Sequence, residues 1–298
     1  MVSPTDEILR PFGLVAADLS PQDAAASAAF DFEKFEIASV SSVGEPAFDI
    51  GYAALWAEFG EKNELEERAV LARRLAWHVR PPAGDYAMRY EMIVIRRGGQ
   101  FVAVCDQTAI VPRQGDGDAI VHFSHLLIAP PFRGSGLGGW LRAWPVATAR
   151  NAMADAKLPG RAIMIVGECE PADGGDAANV RRLRAFERAG FLKVDPLVVN
   201  YLQPDFRPAA VIDATGGPRP VPLSLVLRRV GRSPDQSIAG RELRSIVHAL
   251  YAMYGDGFRA ADMRPVVESL AAFPQPDASV ALVPPTLLSP PPAEELNA

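Results

Sequence analysis

The residues whose types and spacing best suit chemistry form one run: Leu126-Leu127-Ile128-Ala129-Pro130-Pro131-Phe132-Arg133-Gly134-Ser135-Gly136-Leu137-Gly138-Gly139. The order is an apolar strand, a proline brake, an arginine, a glycine-rich turn and a helix start. The first amides of a helix lack partners within it, and the helix dipole is positive at that end, so such a turn is a ready anion site. Glycines let its backbone approach a phosphate with no Cβ in the way. The chemistry implied is the holding of a group that carries a pyrophosphate.

Several elements must position that turn. In residues 48–78 the apolar positions Ala53, Leu55, Trp56 and Phe59, then Leu65, Val70, Leu71 and Leu75, recur at helical spacing. Pro81-Pro82-Ala83-Gly84-Asp85 ends that run. Residues 88–95 and 100–110 read as strands joined by Arg96-Arg97-Gly98-Gly99, a hairpin signal, and a third strand over 119–128 feeds the turn. In the helix after it, Leu137, Trp140, Leu141 and Trp144 form one stripe, and Pro145 is expected to kink the helix or end its first part. Residues 161–169 read as a buried strand, with a loop through 173–176. An amphipathic helix follows over 179–189, Leu183 and Phe186 facing inward, with Gly190 as its left-handed cap and Phe191 folding back. Strands are expected over 194–201 and 223–230, and helices over 238–254 and 260–273. From Pro274 onward seven of 25 residues are proline, which predicts an irregular tail. The resulting division is an Ala-, Pro- and Asp-rich segment over 1–30, a core domain over 31–230, and a helical extension with a Pro-rich tail over 231–298.

Composition narrows the function. The 298 residues are 49% hydrophobic and 22% charged, as in a globular chain. A net charge of −6 argues against general nucleic-acid binding, which needs a basic surface. Cys105 and Cys169 have no metal-ligand spacing and sit in apolar runs, so buried thiols are expected and no metal site. With no basic start followed by a long apolar stretch, and no run of about 20 apolar residues, a cytoplasmic protein without a membrane span is expected.

Two groups of cofactor fit the glycines. Gly134-Ser135-Gly136-Leu137-Gly138-Gly139 matches the dinucleotide fingerprint, which points to an NAD(P)-dependent oxidoreductase. That fingerprint belongs on the first strand of a parallel unit, whereas here a hairpin precedes it, and it leaves Arg133 unexplained. The same stretch resembles the acetyl-CoA loop of the GCN5-related N-acetyltransferases, met here by Ile128, Pro130, Arg133, Gly136 and Gly138. Asn179, Leu183, Phe186, Gly190 and Phe191 are similar to a second element of that family, an Asn-led helix ending in Gly-Phe. Glu168-Cys169-Glu170-Pro171 and Tyr201-Leu202-Gln203-Pro204 resemble strand endings of a less-characterised bacterial branch. The likeness covers roughly residues 45–230.

The resemblance implies an α/β fold, with a mixed, mostly antiparallel sheet flanked by helices, and acetyl-CoA as co-substrate. Arg133, Gly134, Ser135, Gly136, Leu137 and Gly138 would hold its pyrophosphate. The edge of Leu126, Leu127 and Ile128 would pair with its peptide-like pantetheine arm. Asn179 and Phe186 would line the cofactor. Acetyl transfer to a primary amine needs a base, an oxyanion stabiliser and a proton for the leaving thiolate. Many members carry a Tyr where this chain has Phe186, so the usual acid is missing from its place, which favours an idle acyl-CoA-binding relative as the rival. His122 matches the position of the basic Glu in the histone-acetylating branch. On strict alternation it shares a face with Ser124 and Leu126, while His125 points the other way. Glu168 and Glu170 are the second place for a base, and Tyr201 with Gln203 are candidate acceptor-site or proton-donor groups. The plain alternatives are satisfied core residues for the histidines, a solvated strand end for Glu170 and a proline-terminated strand for Tyr201. The acceptor is a small or protein amine. Residues 235–273 are left to cover the site, mediate a homodimer or pack on the sheet.

Overall fold

The structure is a computed structural model describing residues 4–170, 177–232 and 235–287. It is mixed α/β, with mostly antiparallel strands flanked by helices, as the sequence predicts. Contacts divide the chain into two compact units: Met1–Ile165 with Phe206–Gly217, and Val166–Asp205 with Pro218–Ala298.

The first unit begins with helices α1 (Pro4–Leu9) and α2 (Pro21–Ser27). Then come strand β1 (Glu36–Val40), helices α3 (Pro46–Phe59) and α4 (Arg68–Leu75), and strands β2 (Tyr86–Arg97), β3 (Gln100–Pro112) and β4 (Ala119–Ile128). Helix α5 (Leu137–Ala156) follows, with the start of β5 (Ile163–Cys169) and, returning later, α7 (Ala209–Ala214). Strands β1 to β4 form an antiparallel meander. The expected hairpin turns at Gly98 and Gly99, both left-handed at φ 54° and 78°. Helix α3 lies close on one sheet face: a Cβ at Gly51 would stand 2.7 Å from Met92 Sδ and 2.8 Å from Val94 Cγ2. The other face meets α5, where Thr148 Oγ1 donates to buried Glu91 at 2.7 Å and accepts from Gln107 at 3.1 Å.

Pro145 does not end α5, which runs on to Ala156. A proline within a helix costs roughly 3 kcal/mol, but α5 is packed between the sheet and the N-terminal segment, and that burial outweighs the missing N–H. The N-terminal segment, weakly patterned in sequence, is thus ordered structure. Arg150 makes two bonds to Asp18 (2.5 and 2.8 Å) and Arg142 two to Asp23 (2.5 and 3.1 Å), both paired forks from α5. Phe12 packs on Trp144 and Phe32 on Trp140, at centroid distances of 5.5 and 5.8 Å.

The second unit continues β5 from Val166 and adds α6 (Ala177–Arg188), β6 (Leu192–Val194), β7 (Tyr201–Gln203) and β8 (Val221–Arg229). It ends with β9 (Ser237–Ala239), α8 (Gly240–Gly255), α9 (Ala260–Ser269) and β10 (Ser279–Val283). Its strand order is β5-β8-β6-β10-β9, with β7 paired to β8. Two expectations are corrected here. The strand expected over 194–201 is split, because Asp195 Oδ1 takes the Leu197 amide at 3.0 Å and the Asp195 carbonyl takes those of Val198 and Val199, making a turn. The tail is not wholly irregular: between its prolines, Ser279–Val283 pairs antiparallel with both β6 and β9. The extension therefore contributes strands as well as helices. The loop expected over 173–176 lies outside the described residues, as do 288–298.

Candidate functional site

The glycine turn is built as an amide-rich entry to α5. Gly134 and Gly136 are left-handed, at φ 76° and 96°, conformations that cost a side-chain-bearing residue about 1–2 kcal/mol. Among the described residues the amides of Gly134, Ser135 and Gly136 meet no acceptor. A Cβ at Gly134 would meet nothing within 4 Å, so the turn is open there. Arg133 braces the strand end, its Nε donating to the Ile128 carbonyl at 2.9 Å, and Ser135 Oγ donates to Phe132 O at 2.7 Å. Leu126, Leu127 and Ile128 lead into the turn half-buried, opposite Cys105, Val104 and Ala103 of β3. Open space and free amides suit an anionic group.

Two of the glycines answer to something else. A Cβ at Gly136 would lie 2.5 Å from Ala26 O, and one at Gly139 2.2 Å from Ser27 Oγ. Helix α2 packs there, with Ser27 Oγ donating to the Gly136 carbonyl at 2.6 Å. Gly138 is intermediate: its Cβ would stand 3.2 Å from Arg142 Nη1 and 3.5 Å from Ile128 Cδ1. Part of the glycine pattern is therefore explained by close packing of the N-terminal segment.

Strand β4 carries both histidines, and their predicted orientation is corrected. The register slips between Asp106 and Gln107: Gln107 faces Phe123 while Asp106 faces His125, leaving Ser124 as the extra residue of a bulge. Because His122 pairs with Thr108 and His125 with Asp106, two positions apart on β3, both histidines point to the same face. Leu126, opposite Cys105, points to the other face and does not share one with His122. His122 is buried, its Nδ1 3.1 Å from Ser124 Oγ. His125 is held by Asp106 Oδ1 (2.9 Å) and the Glu64 carbonyl (2.9 Å), while Tyr90 donates to Asp106 Oδ2 at 3.0 Å. Burial works to lower the pKa of His125, but the Asp106 charge and bond, the Glu64 carbonyl and the Glu66 charge together raise it to about 9. It holds its proton at neutral pH and cannot serve as a base there. Nearby, Arg74 and Glu66 form an ion pair at 2.6 Å, 1% and 3% exposed.

In the second unit β5, β7 and α8 assemble a carboxylate cluster. Glu168, half-buried at the end of β5, accepts from Tyr201 OH on one oxygen, and from Tyr254 OH (2.6 Å) and Gln203 Nε2 (3.1 Å) on the other. Tyr251 stacks on Tyr201 at 5.8 Å and donates to Leu202 O. Burial, then the Glu168 charge, pushes the Tyr201 phenol well above its ordinary pKa, so it stays a neutral donor. Glu168 from one strand ending and Tyr201 with Gln203 from another, read as separate candidates in the sequence, meet in this cluster. Tyr254 and Tyr251 come from the extension and were missed, since an aromatic on a buried helical stripe reads as core. Glu170 is instead paired with Arg182 on an exposed surface, the solvated strand end named as its alternative. Arg182 also donates to buried Asn179 at 3.3 Å, and Phe186 packs edge-on to Phe191 at 5.0 Å. Among the described residues no group of three His, Cys, Asp or Glu is placed to hold a metal, and no helix is long and apolar enough to cross a membrane.

The two sites are a strand–turn–helix with open backbone amides and a carboxylate held by phenols. Comparison with known proteins adds the following. No family model matches the chain. No curated protein matches it either. Among solved structures it is similar to an acetyltransferase of the GNAT family from Desulfovibrio desulfuricans, at 13% identity and TM-score 0.32, covering 66% of this chain and 99% of that one. It is also similar to an acetyltransferase from Streptococcus agalactiae, at 13% identity and TM-score 0.37, with 66% and 99% covered. A third is the GCN5-related glucosamine N-acetyltransferase region of a fungal multi-domain beta-N-acetylglucosaminidase, at 15% identity and TM-score 0.34, covering 60% of this chain and 20% of that one.

Proposed function

We propose that the chain is an acetyl-CoA-dependent N-acetyltransferase acting on a primary amine. The observation that carries this is the turn of Gly134, Ser135 and Gly136, whose amides meet no acceptor among the described residues, at the mouth of a helix behind Arg133. The Asn-led helix ending in Gly190-Phe191 supports it, with Gly190 left-handed at φ 81°. Amides 134–138 and the Arg133 guanidinium hold the pyrophosphate, and the half-buried Leu126–Leu127–Ile128 segment takes the peptide-like arm. When bound, acetyl-CoA supplies an acetyl group activated as a thioester. The amine nitrogen forms the new amide bond, the C–S bond breaks, and the thiolate takes up a proton as coenzyme A leaves.

Glu168 is assigned to the amine: its charge draws an ammonium group, and one oxygen, freed from a phenol, takes the proton shed during attack. His122 with Ser124 is the alternative acceptor, since His125 already carries a proton. The net charge of −6 disfavours a nucleic-acid-bound acceptor and leaves a small-molecule or protein amine. The test compares thermal stabilisation by coenzyme A, NAD(H) and NADP(H), then follows thiol release from acetyl-CoA with a panel of amines. Stabilisation by coenzyme A and amine-dependent thiol release are expected. Stabilisation by nicotinamides alone rejects the reading, and coenzyme A binding without amine-dependent release makes the chain an idle binder.

A further inference from the structure

The N-terminal segment touches the glycine turn at a point where the turn's chemistry is decided. Residues without a Cβ allow a peptide plane to rotate at low cost, and rotation exchanges an N–H for a C=O on the face seen by an anion. The plane between Gly136 and Leu137 opens α5: its oxygen accepts from the Gly139 amide at 3.1 Å, and its Leu137 amide reaches Ser135 Oγ at only 3.4 Å. Ser27 Oγ grips the Gly136 oxygen at 2.6 Å. In a trans peptide the N–H points opposite to the C=O, so this grip turns the Leu137 amide away from α2. Ser27 is itself fixed. It is 1% exposed and sits at the end of α2, whose first turn is tied to α5 by Asp23 and Arg142 at 2.5 and 3.1 Å. The absence of a Cβ at Gly139 leaves the room in which the Ser27 hydroxyl stands.

We propose that Ser27 is a positioning residue for the anion-binding turn, and that the N-terminal segment is thereby part of the cofactor site. The inference rests on the acetyl-CoA reading for the identity of the ligand, but its core concerns any pyrophosphate bound by residues 133–138. Two substitutions break the contact from opposite sides. Ser27→Ala removes the hydroxyl, and Gly139→Ala places a methyl where the hydroxyl stands. Ser27→Thr keeps it. Binding of coenzyme A and of inorganic pyrophosphate is measured by calorimetry on the full chain, with a thermal melt of each variant followed by tryptophan fluorescence.

Ser27→Ala and Gly139→Ala should each weaken both ligands by about five- to tenfold, the value of one lost hydrogen bond, and Ser27→Thr should restore binding to within about twofold. A variant that melts like the wild type and still loses affinity separates positioning from mere stability. Wild-type binding of coenzyme A that is unchanged in Ser27→Ala overturns the inference and leaves the acetyl-CoA reading standing. Ser27-dependent binding of pyrophosphate, with coenzyme A no tighter than pyrophosphate, upholds the inference and removes that reading. If neither ligand binds the wild-type protein, the inference falls.

Discussion

Raising the pH from 6 to 9.5 should destabilise the first unit through a single side chain. His125 has an ordinary pKa of 6.5 and is raised to about 9 in the folded protein, because the charge and hydrogen bond of Asp106, the Glu64 carbonyl and the charge of Glu66 outweigh its burial. The groups facing it are Asp106 on β3, Tyr90 on β2, and Glu64, Glu66 and Arg74 from the α3–α4 region, with the Phe59 ring 5.0 Å away. Below pH 6.5 folded and unfolded chains both carry the proton, and the folded state keeps the full benefit of the Asp106 contact. Between 6.5 and about 9 folding must take up a proton from solution, and above that range the benefit is gone. At about 1.4 kcal/mol for each tenfold in proton affinity, the loss across this window is about 3 kcal/mol. Urea unfolding followed by tryptophan fluorescence reads the right part of the molecule, since Trp56, Trp77, Trp140 and Trp144 all lie in the first unit. Asp106→Asn should be less stable at pH 6 and lose most of the pH dependence, because the charge that raises His125 is gone. A wild-type stability that stays flat between pH 6.5 and 9.5, or falls equally in Asp106→Asn, refutes the account.

Two further outcomes follow from the sites. Gly134→Ala should cost about 1 kcal/mol, since only its left-handed backbone objects, whereas Gly136→Ala should cost about 2–4 kcal/mol, because its Cβ would stand 2.5 Å from Ala26 O as well. Denaturation midpoints check this, and equal losses would show that α2 does not press on the turn. Glu168→Gln removes the charge held by Tyr201, Tyr254 and Gln203, and should lower kcat/KM for the best amine by about 10²- to 10⁴-fold while leaving coenzyme A affinity within about twofold. An unchanged kcat/KM would transfer the proton-accepting role away from this carboxylate.

The parts of this chain that were legible are those whose signal is local. The β2–β3 hairpin, the strand over 119–128, and the turn from Arg133 to Gly138 each announce themselves in contiguous residues, and each is formed. What was misread depends on partners distant in sequence. Strict alternation separated His122 from His125, but the bulge at Ser124 is a property of the pairing with Asp106 and Gln107, and one extra residue inverts every face beyond it. Pro145 breaks an isolated helix, yet here α5 is held from both sides, by the sheet through Glu91 and Gln107 bonded to Thr148 and by the N-terminal segment through Asp23, 119 residues before its partner Arg142. Asp106 did leave a trace: a lone carboxylate in Phe101-Val102-Ala103-Val104-Cys105-Asp106 must find a buried partner, and that rule alone points to a histidine or arginine on a neighbouring element. Tyr254 left none, since a phenol on the apolar stripe of α8 looks like packing until its hydroxyl is seen on Glu168. The glycines teach the sharpest version of this. A single sequence pattern served two masters, the open backbone at Gly134 and the close approach of α2 at Gly136 and Gly139. Reading every glycine as room for a phosphate therefore assigns to the ligand what partly belongs to the N-terminal segment, and the contrast between Gly134 and Gly136 variants divides the two.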